Sequence, residues 1–193
     1  MLRRVKCLSG LRFDELLGHI ESLSNAGFEF VVIGDVVFSL YTKSKVEHDD
    51  LDLFAIKPNP LIDEEAYESY AKDNGFEFER TWAGTPRLVV PEGFSIEFYT
   101  NVMEFEMPEQ FLDELCKWNV RGVAFESVTL DQQVLLKARA AMISDEHLEE
   151  LAEIASSIKH LIRRAAIEEY LRCFSEDSIP VMERILKTAG LLT

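Results

Sequence analysis

The sequence predicts an α+β protein, with a mixed sheet flanked by helices and a helical region at its C-terminal end. Three observations carry that expectation. An apolar run at 28–33 ends in the turn Gly34-Asp35 and is followed by a short helical segment and a second strand. Strand-like alternation then recurs between residues 76 and 99. From Thr129 the composition shifts to Leu, Ala, Glu, Lys and Arg, which is helix-forming material.

Residues 13–25 place Phe13, Leu16, Leu17, Ile20 and Leu23 on one helical face, and Gly27 suits the C-terminal cap. Residues 28–33 are short, apolar and rich in β-branched side chains, as a buried strand requires. Residues 36–41 form a short helix, with Val37, Leu40 and Tyr41 recurring at helical spacing, and 42–49 form a polar loop. Residues 51–56 form a second strand, stopped by Lys57-Pro58-Asn59-Pro60. An amphipathic helix over 62–74 ends at Gly75. Strands follow at 76–81, 87–90 and 94–99, and the sheet finishes near residue 126. Helices are expected over 129–142, 147–170 and 179–186, with breaks at Ser144-Asp145 and around Ser175 to Ser178. The organisation reads as an α/β unit over 1–126 and a helical region over 127–193.

The charge narrows the choice of partners. A formal net charge of −15 and a pI near 4.7 repel polyanions, so extended nucleic-acid binding is disfavoured. The compact basic clusters, Arg3-Arg4-Lys6 and Arg163-Arg164, are not interleaved with aromatics. No run is long enough to span a membrane. The basic start, 1–6, precedes no long apolar run or cleavage site, so a cytoplasmic location is expected. Cys7, Cys116 and Cys173 are odd in number and far apart, which suits buried reduced thiols rather than disulfides or zinc ligands.

The chemistry-bearing residues are acids. On a strand, Asp50 and Asp52 share one face while Leu51 and Leu53 enter the core. Like charges so close raise each other's proton affinity, and a divalent cation relieves them. Magnesium suits such a pair, because it takes hard oxygen ligands and leaves room for phosphate and water. Glu97 alternates with Ile96 and Phe98 in the same way. If its strand lies beside that of the aspartates, three carboxylates share a face and can serve two magnesium ions in a phosphoryl displacement. The upstream strand–glycine–helix turn offers backbone N–H groups to an anion.

The segment 33–41, Ile-Gly-Asp-Val-Val-Phe-Ser-Leu-Tyr, with Asp50-Leu51-Asp52-Leu53-Phe54, resembles the signature of polymerase-β-like nucleotidyltransferases. It is most similar to the minimal branch that includes type IV abortive-infection toxins. Ile96-Glu97-Phe98 resembles the strand of the family's third acid, and 135–140 resembles the helix whose lysine faces the nucleotide phosphates. The resemblance covers roughly residues 13–150. It implies a nucleotidyltransferase-like fold and transfer of a nucleoside monophosphate from an NTP to an acceptor hydroxyl. By this resemblance Asp50, Asp52 and Glu97 would be catalytic and metal-binding, with Glu97 also assisting deprotonation. Gly34, Asp35 and Lys137 would meet the nucleotide, and a protein partner such as an antitoxin could cover the cleft.

Position 35 is Asp where the family has Gly or Ser, which puts a negative charge beside the expected triphosphate. As a helix N-cap it has a purely structural role open to it. A catalytically inactive binding or regulatory module is therefore the alternative to an enzyme. Lys137 can equally be an exposed helix lysine. His48 reads as incidental in a polar loop; Lys43 and Lys45 could reach phosphate, and Arg87 could line the cleft. Arg139, Arg163 and Arg164 are expected to offset helix glutamates.

Overall fold

The computed structural model describes residues 13–42, 48–91, 93–102 and 105–192. Lys43, Lys45, Cys7 and the cluster Arg3-Arg4-Lys6 lie outside the described residues. α1 (Phe13–Asn25) buries Leu16, Leu17, Ile20 and Leu23, as its periodicity predicts. It ends where Gly27 adopts φ +88° and Phe28 N–H donates to the Leu23 carbonyl. β1 (Glu29–Val32) leads through Ile33 and Gly34 into α2 (Asp35–Thr42), and β2 (Asp50–Lys57) follows. α3 (Glu64–Asn74) starts two residues later than expected and closes on left-handed Gly75. β3 (Glu77–Arg80), β4 (Pro86–Val89) and β5 (Ser95–Tyr99) take up the alternating segments.

Two strands were not anticipated. β6 (Cys116–Val120) and β7 (Val123–Ser127) form an antiparallel hairpin. Its turn, Arg121-Gly122, has positive φ at both residues, 54° and 93°, so its twist matches that of the flanking strands. Trp118 and Val120, alternating into Val123 and Phe125 across that turn, are the signal that could have found it. The sheet has seven strands in the order β3-β4-β5-β2-β1-β7-β6. β2 runs parallel to β5 and antiparallel to β1, and β1 runs parallel to β7.

The C-terminal helices are α4 (Leu130–Ala140), α5 (Asp145–Ile158), α6 (Arg164–Leu171) and α7 (Ile179–Thr188). The single helix expected over 147–170 is two helices, broken between Ile158 and Arg164. Buried Asp131 supplies a reason: its carboxylate accepts from both the backbone N–H and the Nε of Arg163, each at 2.8 Å. That pulls the chain out of helical geometry at this point. Arg163 therefore serves a buried aspartate rather than the helix glutamates, whereas Arg164 pairs with Glu168 as expected. Thr129 caps α4 through a reciprocal box with Gln132. One continuous cluster of buried side chains joins Val32 and Leu53 of the sheet to Val134, Leu151, Ile167 and Leu186 of the later helices. The described thiols, Cys116 and Cys173, are free and half-buried rather than fully buried. Among the described residues no helix is long and apolar enough to cross a membrane.

Candidate active site

The site forms where β1 hands over to α2. Gly34 sits at φ +74°, and a Cβ placed on it would stand 2.1 Å from Asp52 Oδ2. Only glycine lets the turn approach the acid strand so closely. The Gly34 N–H donates to Gln133 Oε1 at 3.0 Å, which ties the turn to α4. In the β2–β5 ladder Asp52 stands opposite Glu97, and Asp50 opposite Ser95. Because faces alternate, Leu51, Leu53, Ile96 and Phe98 are buried on the other side, where Phe98 meets Tyr67 of α3. Asp50, Asp52 and Glu97 are thus brought together on one face beside Gly34.

Their electrostatics follow from crowding. Burial, then the charges of Glu97 and Asp35, push the Asp50 carboxyl up to about 7. Burial and the adjacent Asp50 hold Asp52 well above the usual carboxylate range. Glu97, 14% exposed, accepts from Tyr99 OH at 2.6 Å and Ser95 Oγ at 3.3 Å, and Arg87 Nε lies 3.2 Å away as an ion pair. Burial and the charges of Asp52 and Glu97 raise the Tyr99 phenol, so it stays a donor.

Asp35 is the first residue of α2 rather than the residue that caps it, and its carboxylate pairs with Lys137 Nζ at 3.0 Å. Lys137 is not an exposed helix lysine. It is 12% exposed and makes a second ion pair, at 2.6 Å, with Glu150 of α5. Burial opposes its charge, but the two carboxylates outweigh burial and leave its pKa raised. Glu150 also meets His147 Nδ1 at 3.1 Å. Lys137 and its hydrogen-bonded partners outweigh the burial of Glu150 and hold its carboxyl below the usual range. Glu150 and Gln133 were not anticipated from sequence, because their partners lie 13 and 99 residues away on other elements; Tyr99 was passed over although Glu97 stands two residues before it on the same strand. Arg139 lies 3.8 Å from Glu106, outside the helices.

Beside this cluster a cleft of about 900 Å³ opens between α2 and α5. α2 lends it Asp35, Phe38, Ser39 and Thr42, the i, i+3, i+4, i+7 stripe of one helical face. α5 answers with the same spacing at Glu150, Glu153, Ile154 and Ser157. His48, read from sequence as incidental, is 5% exposed and part of the cleft wall, and its buried Nε2 has no hydrogen-bond partner among the described residues.

The donor chemistry suits a divalent cation at Asp50 and Asp52. Both are hard oxygen donors pushed toward the protonated form by their own crowding, and the described cations nearby are committed to Glu97, Asp35 and Glu150. Among the described residues no three His, Cys, Asp or Glu side chains already form a metal-holding group, so this pair would supply two ligands, with the rest from outside the protein.

A mixed sheet with a strand–glycine–helix turn against an acidic strand defines a nucleotidyltransferase-like fold. The chain belongs to the nucleotidyl transferase family of unknown function DUF2204, whose sequence model matches residues 12–188. Among solved structures it is similar to an antigenic nucleotidyltransferase-like protein from Paracoccidioides brasiliensis, with 13% identity, 95% of this chain and 96% of that one covered, and a TM-score of 0.58. It is also similar to the antibiotic-resistance factor ANT(2'')-Ia, with 10% identity, 92% of each chain covered and a TM-score of 0.53. The lincosamide antibiotic adenylyltransferase LnuA in its lincomycin-bound form matches at 14% identity over 66% of this chain and 86% of that one, TM-score 0.50. At such identities these likenesses concern the fold. No curated protein matches significantly.

Proposed function

We propose that the protein transfers a nucleoside monophosphate from an NTP to a small-molecule hydroxyl. The observation that carries this is the pair Asp50 and Asp52, crowded to raised pKa values against Gly34, with Glu97 in register beside them. Asp50 and Asp52 would hold magnesium, which supplies charge neutralisation at the phosphates when bound. Glu97 would exchange its present partners to serve a second ion and to receive the acceptor's proton. The acceptor oxygen forms a bond to the α-phosphorus, the α–β phosphoanhydride bond breaks, and pyrophosphate leaves. Gly34 gives the phosphates room to approach, and Lys137 pairs with them on leaving Glu150. A small acceptor is supported by the net charge of −15, which disfavours RNA, and by the antibiotic-modifying proteins of similar fold.

A specific observation supports a second reading, an inactive nucleotidyltransferase-fold module. Lys137 is held by two carboxylates and the Gly34 N–H is taken by Gln133, so the groups that would meet phosphate are already occupied. Calorimetric titration of ATP, GTP, CTP and UTP with manganese separates the two. The enzyme reading requires metal-dependent binding of one NTP, lost in Asp50→Ala. Absence of binding in the native chain, with binding gained in Asp35→Ser, would establish the module instead. The toxin-like resemblance adds a protein partner over the cleft to this second reading, which co-purification of a bound chain from the native host would support.

A further inference from the structure

We propose that Arg87 is a built-in counter-ion for Glu97 that holds the place of the second metal ion, and that Glu79 receives its guanidinium when that ion arrives. The inference deepens the nucleotidyl-transfer reading and rests on its assignment of a second ion to Glu97. Arg87 is thereby a positioning residue: it sets when the Glu97 carboxylate is free and does not itself meet the reacting atoms.

The observation is a row of side chains across four strands. Glu79 of β3 stands opposite Arg87 of β4, Arg87 opposite Glu97 of β5, and Glu97 opposite Asp52 of β2. Residues directly opposite in a ladder project from the same face, so the row reads acid, base, acid, acid. Its cation lies between two carboxylates, with Nε 3.2 Å from Glu97 Oε1 and Nη1 3.8 Å from Glu79 Oε2. The nearer contact is an ion pair without hydrogen-bond alignment, since the buried Nε has no hydrogen-bond partner among the described residues. A cation so held is attracted but not locked, and a divalent ion carries twice its charge. Without a cation here Glu97 would repel Asp52 across the ladder, so Arg87 stabilises the site before metal binds.

The two oxygens of Glu97 are held differently. Oε2 accepts from Tyr99 OH at 2.6 Å, and the Tyr99 ring is fixed by stacking on Phe105, with centroids 5.0 Å apart. Oε1 has the Arg87 ion pair and a Ser95 Oγ donor at 3.3 Å, beyond the usual O–H···O range. Tyr99 thus keeps the carboxylate pointing one way while Oε1 passes from Arg87 to the ion. Glu79 is exposed, so the guanidinium has room to swing outward to it.

The probe is manganese alone, titrated into the full chain without nucleotide and followed by electron paramagnetic resonance of the free ion. The wild type should bind a first ion at the aspartates and a second more weakly. Arg87→Met should tighten the second ion about tenfold, the size of one lost competing ion pair, whereas Arg87→Lys, which keeps the charge, should stay near the wild type. Arg80→Met removes the same charge from the same hairpin, where Arg80 pairs with Glu64, and should leave the second ion unmoved. Glu79→Gln should weaken the second ion about threefold in the wild type and have no effect in Arg87→Met, because Glu79 acts through Arg87. Glu77→Gln, two residues along β3 and opposite Val89, should not reproduce it, and this comparison decides the matter even where Arg87→Met does not fold. Equal effects of Arg87→Met and Arg80→Met, equal effects of Glu79→Gln in both backgrounds or of Glu79→Gln and Glu77→Gln, or a folded Arg87→Met that binds no second ion would each overturn the proposal. The stated manganese results in a chain that binds no NTP would keep the exchange and discard the nucleotidyl reading.

Discussion

Replacing Asp50 by Asn should stabilise the metal-free protein at alkaline pH, and the gain should shrink as the pH falls. The fold raises this carboxyl from its ordinary value of 3.8 to about 7. A carboxyl raised on folding binds its proton more tightly in the native state, so its contribution is intact below the unfolded pKa and is lost as pH rises through the folded one. Over that window of about three units the native state loses about 4 kcal/mol at 1.36 kcal/mol per unit. Asn keeps the shape and does not ionise. The advantage of the variant over wild type should therefore fall by about 2 kcal/mol between pH 8 and pH 5.5. Urea melts at half-unit intervals, with EDTA present, measure this directly. Adding magnesium at pH 8 should stabilise the wild type and leave the variant unmoved, because ligand binding to the native state alone adds stability by mass action. A gain independent of pH, or one that grows as the solution is acidified, would refute the crowding argument. Equal stabilisation of both proteins by magnesium would refute the assignment of the ion to Asp50.

Gly34→Ala should destabilise the protein by about 2–4 kcal/mol, because its Cβ would strike Asp52 at a positive-φ position; a thermal melt equal to wild type would contradict the tight packing of turn on strand. Glu150→Gln should raise NTP affinity about tenfold, since Lys137 would then be held by Asp35 alone and phosphate would no longer compete with Glu150. Unchanged affinity in calorimetry would mean that Lys137 does not face the phosphates.

The local elements were legible because their signals are local. Periodicity placed α1 to the residue, and alternation put Leu51 and Leu53 inside and Asp50 and Asp52 on the opposite face. The Gly34 turn was legible too, since a backbone position needing positive φ writes itself as glycine. The β6–β7 hairpin was missed although its Arg121-Gly122 turn is in the sequence, because its strands are short and half-exposed and carry a weak hydrophobic pattern. The break between α5 and α6 had no comparable local sign, because it depends on Asp131, 32 residues upstream.

What the chain alone determined is therefore the class of fold and the pair Asp50 and Asp52 with their glycine turn, features set by spacings of a few residues. Only the tertiary structure decided that β5 lies parallel to β2 and sets Glu97 opposite Asp52, that Lys137 is shared by Asp35 and Glu150, and that His48 joins the wall of an acidic cleft. Those juxtapositions join residues as far as 102 positions apart. Burial and charge act through space, and a linear pattern records neither the neighbour across the sheet nor the helix that closes over it.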